Sequence, residues 1–222
     1  MNKTELKITA DNSHTLFVKA LNETYHSTNG AIQESKHIFI EAGLRYFNNS
    51  KLNVLEIGFG TGLNAFLTLL EASKQKIDIN YIAIEAFPLE EKIIQQLNYV
   101  NVLNSNAEET KWFFRLHKVE WERKQKITDN FILNKVKIEL DQFEATEQFN
   151  VIYFDAFGPQ VQPEMWTKPI FENMYSCLSK NGVLVTYCAK GSVKRTLKAV
   201  GFKLEALPGP PGKREITRAI KL

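Results

Sequence analysis

The segment Glu56-Ile57-Gly58-Phe59-Gly60-Thr61-Gly62 constrains this chain's architecture more than any other. It follows a short apolar run, LNVLEI at 52–57, and leads directly into LNAFLTLLEASKQ, which has the length and apolar content of a buried helix. A strand meeting a helix through three closely spaced glycines reads as a β-loop-α unit. Its glycines let the backbone turn sharply and let a ligand approach where a Cβ would obstruct it. The GxGxxG spacing that cradles a dinucleotide pyrophosphate is absent, because position 63 is Leu63 and the third glycine is Gly62. A carboxylate at Glu56 would repel a pyrophosphate but can sit near a ligand with cationic groups. A glycine turn with no ligand at all is the alternative.

Three further apolar runs follow the same pattern: INYIAIEA at 79–86, NVIYFDAF at 150–157 and NGVLVTYCA at 181–189. Continuous apolar strands with helices between them predict a mainly parallel, doubly wound α/β sheet with right-handed crossovers. After the helix SVKRTLKAVGF, with Gly201 as its C-terminal cap, FKLEAL and EITRAIKL predict a C-terminal antiparallel hairpin. Residues 1–50 read as a small N-terminal extension, a hairpin within 6–26 and a helix over 31–47, packed on a main domain of 51–222. A helix is expected over Glu90–Leu97. Residues 111–140 predict a helix and then a hairpin turning near Asn134-Lys135, with a strand VKIEL leading to Asp141.

Composition excludes several classes. At 222 residues, 44% hydrophobic and 24% charged, the chain can bury one real core, which rules out disorder and a disulfide scaffold. No apolar run reaches the roughly 18 residues that span a bilayer, and the first residues lack a secretory apolar region, so a cytoplasmic location without membrane contact is expected. Cys177 and Cys188 lie eleven apart and the four histidines are scattered, which gives no metal-ligand spacing. The net charge is +3, yet residues 190–222 carry nine Lys or Arg against Glu205 and Glu215, leaving the first 189 residues at −4. Such asymmetry points to a polyanionic partner or to a solvated basic face.

Candidate site residues cluster at strand ends. Glu85 closes the second strand, where a bidentate carboxylate would accept two ribose hydroxyls. Asp141 is placed to meet an adenine amino group or, equally, to sit in a solvated loop. Asp155 ends the third run, where ligands bind in open α/β sheets, and is the candidate catalytic acid or base. Phe157 and Trp166 follow it, either stacking on a base or filling core. The polar stretch Tyr25, His26, Ser27, Asn29-Gly30 is either a cover for the site or a turn, and Lys213-Arg214 follow a Pro/Gly-rich loop within reach of phosphate or substrate.

The form ExGxGxG resembles the S-adenosylmethionine loop of class I methyltransferases, which have a Rossmann-like fold. Over most of its length the chain is similar to the methyltransferase half of the bifunctional MnmC tRNA-modification proteins. The resemblance is carried by YHSTNGAIQESKHIFIEAGL (25–44), LEIGFGTGLNAFLTLL (55–70), YFDAFGPQVQPEMWT (153–167) and GFKLEALPGPPGKRE (201–215). It implies methylation of the primary amine of 5-aminomethyl-2-thiouridine at the wobble position of tRNA, in the anticodon region. It also implies S-adenosylmethionine held by Glu56, Gly58, Gly60, Gly62 and Glu85, with Asp155 activating the amine. The family's FAD-dependent oxidase domain has no counterpart among these residues, so the aminomethyl precursor is expected from elsewhere, either from a separate oxidase as a partner or from direct synthesis on the tRNA. Three readings compete: an aminopropyltransferase related to spermidine synthases, a small-molecule amine methyltransferase of the same fold, and a non-catalytic RNA-binding module. A nicotinamide oxidoreductase is disfavoured by Leu63 and Glu56.

Overall fold

Strands that are apolar on both faces are buried between two layers of helices, and the central runs of this chain behave in that way. The computed structural model describes residues 4–145 and 148–222. An N-terminal sheet is formed by β1 (Thr4–Ile8), β2 (His14–Val18) and β3 (Glu23–Thr24), and α1 (Ala31–Ser35) follows. Then come β4 (Lys51–Ile57), α2 (Leu63–Gln75), β5 (Asp78–Ile84), α3 (Glu91–Ile94), α4 (Tyr99–Val102), α5 (Ala107–Lys118), β6 (Gln125–Thr128) and β7 (Phe131–Val136). The rest is β8 (Phe149–Phe154), α6 (Lys168–Cys177), β9 (Leu178–Thr186), α7 (Gly191–Val200), β10 (Lys203–Pro208) and β11 (Glu215–Ile220).

The main sheet has the order β10-β11-β9-β8-β4-β5-β7-β6. Its five central strands, β9 through β7, are parallel, and the β10–β11 hairpin and β6 add antiparallel edges. The doubly wound sheet and its C-terminal hairpin therefore follow the predicted pattern. Alternation along the strands divides the core. Val54, Tyr81 and Tyr153 pack with α2 and α5 on one face, while Leu55, Ile82, Phe154 and Leu184 pack with α6 and α7 on the other. From β4 the chain winds outward through β5 to β7, then returns to β8 and β9 on the opposite side. The order thus reverses between β4 and β8, and the crevice beyond their C-terminal ends is the natural ligand position.

Several expectations are corrected. The N-terminal hairpin gains a third strand, β3, paired with β2. The helix expected over 31–47 widens after Ser35, where Ala42 N donates to His37 O at 3.2 Å. It ends before Gly43, where a Cβ would lie 2.5 Å from Phe39 O and 3.0 Å from Val185, so the chain presses onto the sheet there and cannot run on helically. The helix over Glu90–Leu97 shrinks to the single turn α3. Asn98 accepts from His14 N (2.8 Å) and donates to Asn12 O (2.8 Å), diverting the backbone toward the N-terminal sheet.

The hairpin near 130 turns at Asp129-Asn130, not at Asn134-Lys135, which lie inside β7 opposite Ile82 and Ala83 of β5. Lys135 misleads because it is a buried lysine. Its Nζ donates to His117 O at 2.6 Å and lies 4.7 Å from the centre of the Trp121 ring. The turn is held by the Asn130 amide, which donates to Ala72 O and Ile77 O, each at 3.0 Å. Strand β7 stops at Val136, so VKIEL is not a strand and Asp141 sits on a 3₁₀ turn, Leu140–Gln142. Among the described residues no helix is long and apolar enough to cross a membrane.

Ala72 O also accepts from Ile77 N, but Ile77 O takes its hydrogen bond from Asn130, and an orphaned partly buried acceptor costs about 1–3 kcal/mol. Asn130→Ala should therefore lower stability by roughly that amount in urea titration, with an unchanged slope. An unchanged midpoint would show that the turn is held by other contacts.

Candidate active site

The crevice between β4 and β8 opens into a cavity of about 1020 Å³. Its floor is the glycine loop, tied to the neighbouring strand because Gly58 N and Phe59 N both donate to Ile84 O (2.9 and 3.1 Å). Gly58 and Gly60 adopt φ of +91° and +47°, in the region that favours glycine. A Cβ on Gly58 would lie 2.9 Å from Asp155 O, and one on Gly60 would lie 3.1 Å from the Tyr25 ring. Gly62, at φ +70°, starts α2 against His117, whose Nε2 would be 2.7 Å from an added Cβ.

Glu85 follows β5 and reaches back to this loop. Its Oε2 accepts from Gly60 N at 2.9 Å and its Oε1 from Phe87 N at 2.8 Å. Burial raises its carboxyl, opposed by the N–H groups of Phe87, Gly60 and Ala86. A carboxylate oxygen accepts more than one bond, so each retains capacity for a hydroxyl. Asp141 is exposed on its 3₁₀ turn and lines the same cavity.

Asp155 stands immediately after β8, with its backbone N donating to Ile57 O at 3.1 Å. Its Oδ2 accepts from Asn64 Nδ2 at 2.8 Å. Desolvation pushes the carboxyl up to about 7; the Asn64 bond opposes this, Glu34 adds to it and Lys213 opposes it. Phe157 lines the cavity and meets Tyr25 edge-on at 5.2 Å between ring centres. Tyr187 closes the wall and donates from its hydroxyl to Ala156 O at 2.8 Å.

Two segments distant in sequence are joined over this wall. Lys213 Nζ lies 2.5 Å from Glu34 Oε1 and 4.1 Å from the centre of the Tyr187 ring, and Glu34 Oε2 accepts from Ser27 N at 2.8 Å. The stretch from Tyr25 to Ser27 accordingly lines the cavity. His26 is buried there, and desolvation pushes its imidazole down to about 4, so it is neutral.

The structure thus brings together Gly58, Gly60, Glu85, Asp141, Asp155, Phe157 and Lys213 on the cavity. Four expected residues lie outside that lining, Gly62 at the start of α2 among them. Glu56 is wholly buried behind the loop and is not part of the lining. Trp166 is buried against Phe154 and Phe171, and its Nε1 donates to Phe157 O at 2.8 Å, which steadies the loop after Asp155 from behind. Arg214 is exposed and is not among the lining residues. Sequence reasoning missed Asn64, Glu34 and Tyr187. Asn64 follows the glycine loop by two positions, a signal that could have been used, whereas Glu34 and Tyr187 carry no local mark. Among the described residues no group of three or more His, Cys, Asp or Glu is placed to hold a metal ion.

Comparison with known proteins adds a family assignment. A family described as S-adenosyl-L-methionine-dependent methyltransferase matches residues 103–222, more than half of the chain. The "tRNA 5-methylaminomethyl-2-thiouridine biosynthesis bifunctional protein MnmC" of Leptospira interrogans is 30% identical over 224 residues, covering 94% of this chain and 34% of that protein. The chain therefore spans about a third of the length of the curated relatives it matches. The crystal structure of MNMC2 from Aquifex aeolicus superposes with a TM-score of 0.79 at 25% identity, covering 99% of this chain and 70% of that one. Spermidine synthase from Thermotoga maritima shares the fold, with a TM-score of 0.54, 15% identity and coverage of 99% and 72%.

The raised Asp155 carboxyl has a consequence for stability. The folded protein keeps this proton up to about pH 7, whereas an unfolded aspartate releases it near 3.9, so stability falls as pH rises through that window and is level above it. Asp155→Asn removes the penalty and should stabilise the protein at pH 8 by on the order of 2–4 kcal/mol, with the gain shrinking toward pH 4. Equal melting of the two proteins at pH 8 would place the Asp155 carboxyl in the ordinary range.

Proposed function

We propose that this chain, which belongs to the S-adenosyl-L-methionine-dependent methyltransferase family, methylates a primary amine on tRNA, the aminomethyl group of 5-aminomethyl-2-thiouridine at the wobble position. The observation that carries the reading is Asp155: a desolvated carboxyl at the switch point, fixed by Asn64, with affinity for a proton near neutrality. The name borne by the Leptospira relative supplies the nucleoside.

The cavity suits S-adenosylmethionine. Gly58 and Gly60 present backbone to the cavity, Glu85 retains acceptor capacity for ribose hydroxyls, and Asp141 on the lining would meet the adenine amino group. When bound, this cofactor supplies an electrophilic methyl group. The remaining work falls to side chains. An aliphatic amine arrives mostly as ammonium and is attracted by the carboxylate of Asp155. A carboxyl with a pKa near 7 can hold the ammonium and take its proton, leaving the nitrogen lone pair available. Asn64 limits the rotation of that carboxyl, and Phe157, Tyr25 and Tyr187 line the cavity with it. A free primary amine is required, so a separate reaction, for which an oxidase is our proposal, must first expose it on the tRNA. A carboxymethyl substituent on the nitrogen would bring a second negative charge beside Asp155.

One observation favours a second reading. The cavity lining carries seven carboxylate residues against Lys213 as its one lysine or arginine, as a polyamine acceptor would want, and the spermidine synthase fold is shared. Calorimetry separates the two, since an aminopropyltransferase would prefer decarboxylated S-adenosylmethionine.

Purified protein incubated with tRNA carrying either form should methylate the aminomethyl nucleoside and leave the carboxymethylaminomethyl one unchanged, as read by nucleoside mass spectrometry. The reverse pattern, or no transfer to either, would sink the assignment. Asp155→Asn should lower turnover by roughly 100-fold or more while nearly retaining cofactor affinity.

The basic C-terminal surface would meet the phosphate backbone. Lys194 is paired with Glu215 at 2.6 Å and Arg218 with Glu205 at 2.7 Å, whereas Arg195 and Arg214 are exposed with no ion-pair partner among the described residues. Replacing Arg195 and Arg214 by Ala should weaken tRNA binding and reduce its salt slope by about two. An unchanged slope would return them to a merely solvated face.

A further inference from the structure

Behind the glycine loop lies a polar cluster that the mechanism does not use. Glu56 is fully buried, as are Tyr81 and Asn64 next to it. Both carboxyl oxygens of Glu56, the hydroxyl of Tyr81 and Oδ1 of Asn64 are buried with no fixed hydrogen-bond partner among the described residues. Four such atoms on three neighbouring side chains are unusual, because a buried polar group without a partner is costly. The other polar end of Asn64 has a partner, with Nδ2 donating to Asp155 Oδ2 at 2.8 Å. The backbone of Asn64 is held too, its O accepting from Thr68 Oγ1 at 2.7 Å.

An ionised Glu56 cannot resolve this arrangement. It offers only acceptors, while Asn64 Oδ1 needs a donor. One proton on Glu56 satisfies every orphan: Tyr81 donates to one carboxyl oxygen, and the other, as a hydroxyl, donates to Asn64 Oδ1. The electrical surroundings agree. The charged groups acting on Glu56 are Asp155 and Glu85, both of like sign, and burial acts in the same direction, raising its carboxyl well above the usual range against weaker opposition from Tyr81 and Asn64.

We propose that Glu56 is a positioning residue that carries its proton at neutral pH and, by donating to Asn64 Oδ1, fixes the Asn64 amide with its NH₂ group toward Asp155. A chain of donors then runs Tyr81 to Glu56 to Asn64 to Asp155, all aimed at the group that receives the substrate proton. Loss of the Glu56 proton would favour a turned amide that presents Oδ1 to Asp155, repelling its carboxylate. This replaces a charged contact between Glu56 and cofactor, and its turnover arm rests on the role proposed above for Asp155.

Glu56→Gln is isosteric with the neutral acid and retains a donor and an acceptor, whereas Glu56→Ala leaves Tyr81 and Asn64 orphaned. The expected results are an infrared band of a buried protonated carboxyl at pH 7 that is lost in Glu56→Gln, and S-adenosylmethionine affinity within about threefold of wild type in that variant. Turnover should fall about tenfold in Glu56→Ala and be restored in Glu56→Gln. Absence of the band at pH 7, or a tenfold loss of cofactor affinity in Glu56→Gln, would overturn the inference in favour of a charged ligand role. Should Glu56→Ala not fold, the band and Glu56→Gln decide the matter. Neither needs tRNA, so a wild-type protein that shows the band yet methylates no aminomethyl nucleoside would count against the proposed substrate alone.

Discussion

The ends of β4 and β8 approach each other so closely that only glycine fits between them, and the site depends on that contact. Parallel pairing runs to the last residue, Ile57 opposite Phe154, and the ladder continues one step further as Asp155 N donates to Ile57 O. Gly58 then lies against the Asp155 carbonyl with no room for a Cβ. One backbone contact therefore sets the distance between the loop that would cradle the cofactor and the acid that would serve the acceptor. Phe59 turns away beneath the loop onto His117 and Trp121, leaving the glycine backbone facing the cavity.

Burial does the chemical tuning. Asp155, Glu85 and Glu56 stand on successive elements at the same end of the sheet, and desolvation raises all three carboxyls. They differ in what opposes it. Glu85 has backbone N–H groups on both oxygens, Asp155 has one amide and a more distant lysine, and Glu56 has no cation acting on it. A hydroxyl acceptor, a proton acceptor and a neutral donor can thus arise from one residue class by local hydrogen bonding alone. The cavity wall is assembled from both ends of the chain, where Glu34 and Lys213 pair on the lining.

Much of this was legible in the sequence because parallel strands buried on both faces leave continuous apolar runs, and LNVLEI, INYIAIEA, NVIYFDAF and NGVLVTYCA all became central strands. Gly58, Glu85 and Asp155, marked by the glycine spacing and by the ends of those runs, all line one cavity. What failed depended on partners far along the chain. Lys135 read as a turn residue because no local pattern announces a lysine buried on a carbonyl and an aromatic ring. The turn belonged to Asn130, whose acceptors are Ala72 and Ile77. Glu56 sat in the right motif, yet strand alternation turns its side chain toward Tyr81 and α2, away from the cavity, and Trp166 was drawn into core by Phe154 and Phe171.

The central claim is that the Asp155 carboxyl is poised at neutral pH by its burial. Carbon-13 NMR of the labelled side-chain carboxyl, assigned by its absence in Asp155→Asn and followed from pH 3 to 9, measures that property without substrate. The account predicts a midpoint near 7. A midpoint near the ordinary value of about 3.9 would contradict it, leaving a carboxylate too weakly basic for the role assigned to it.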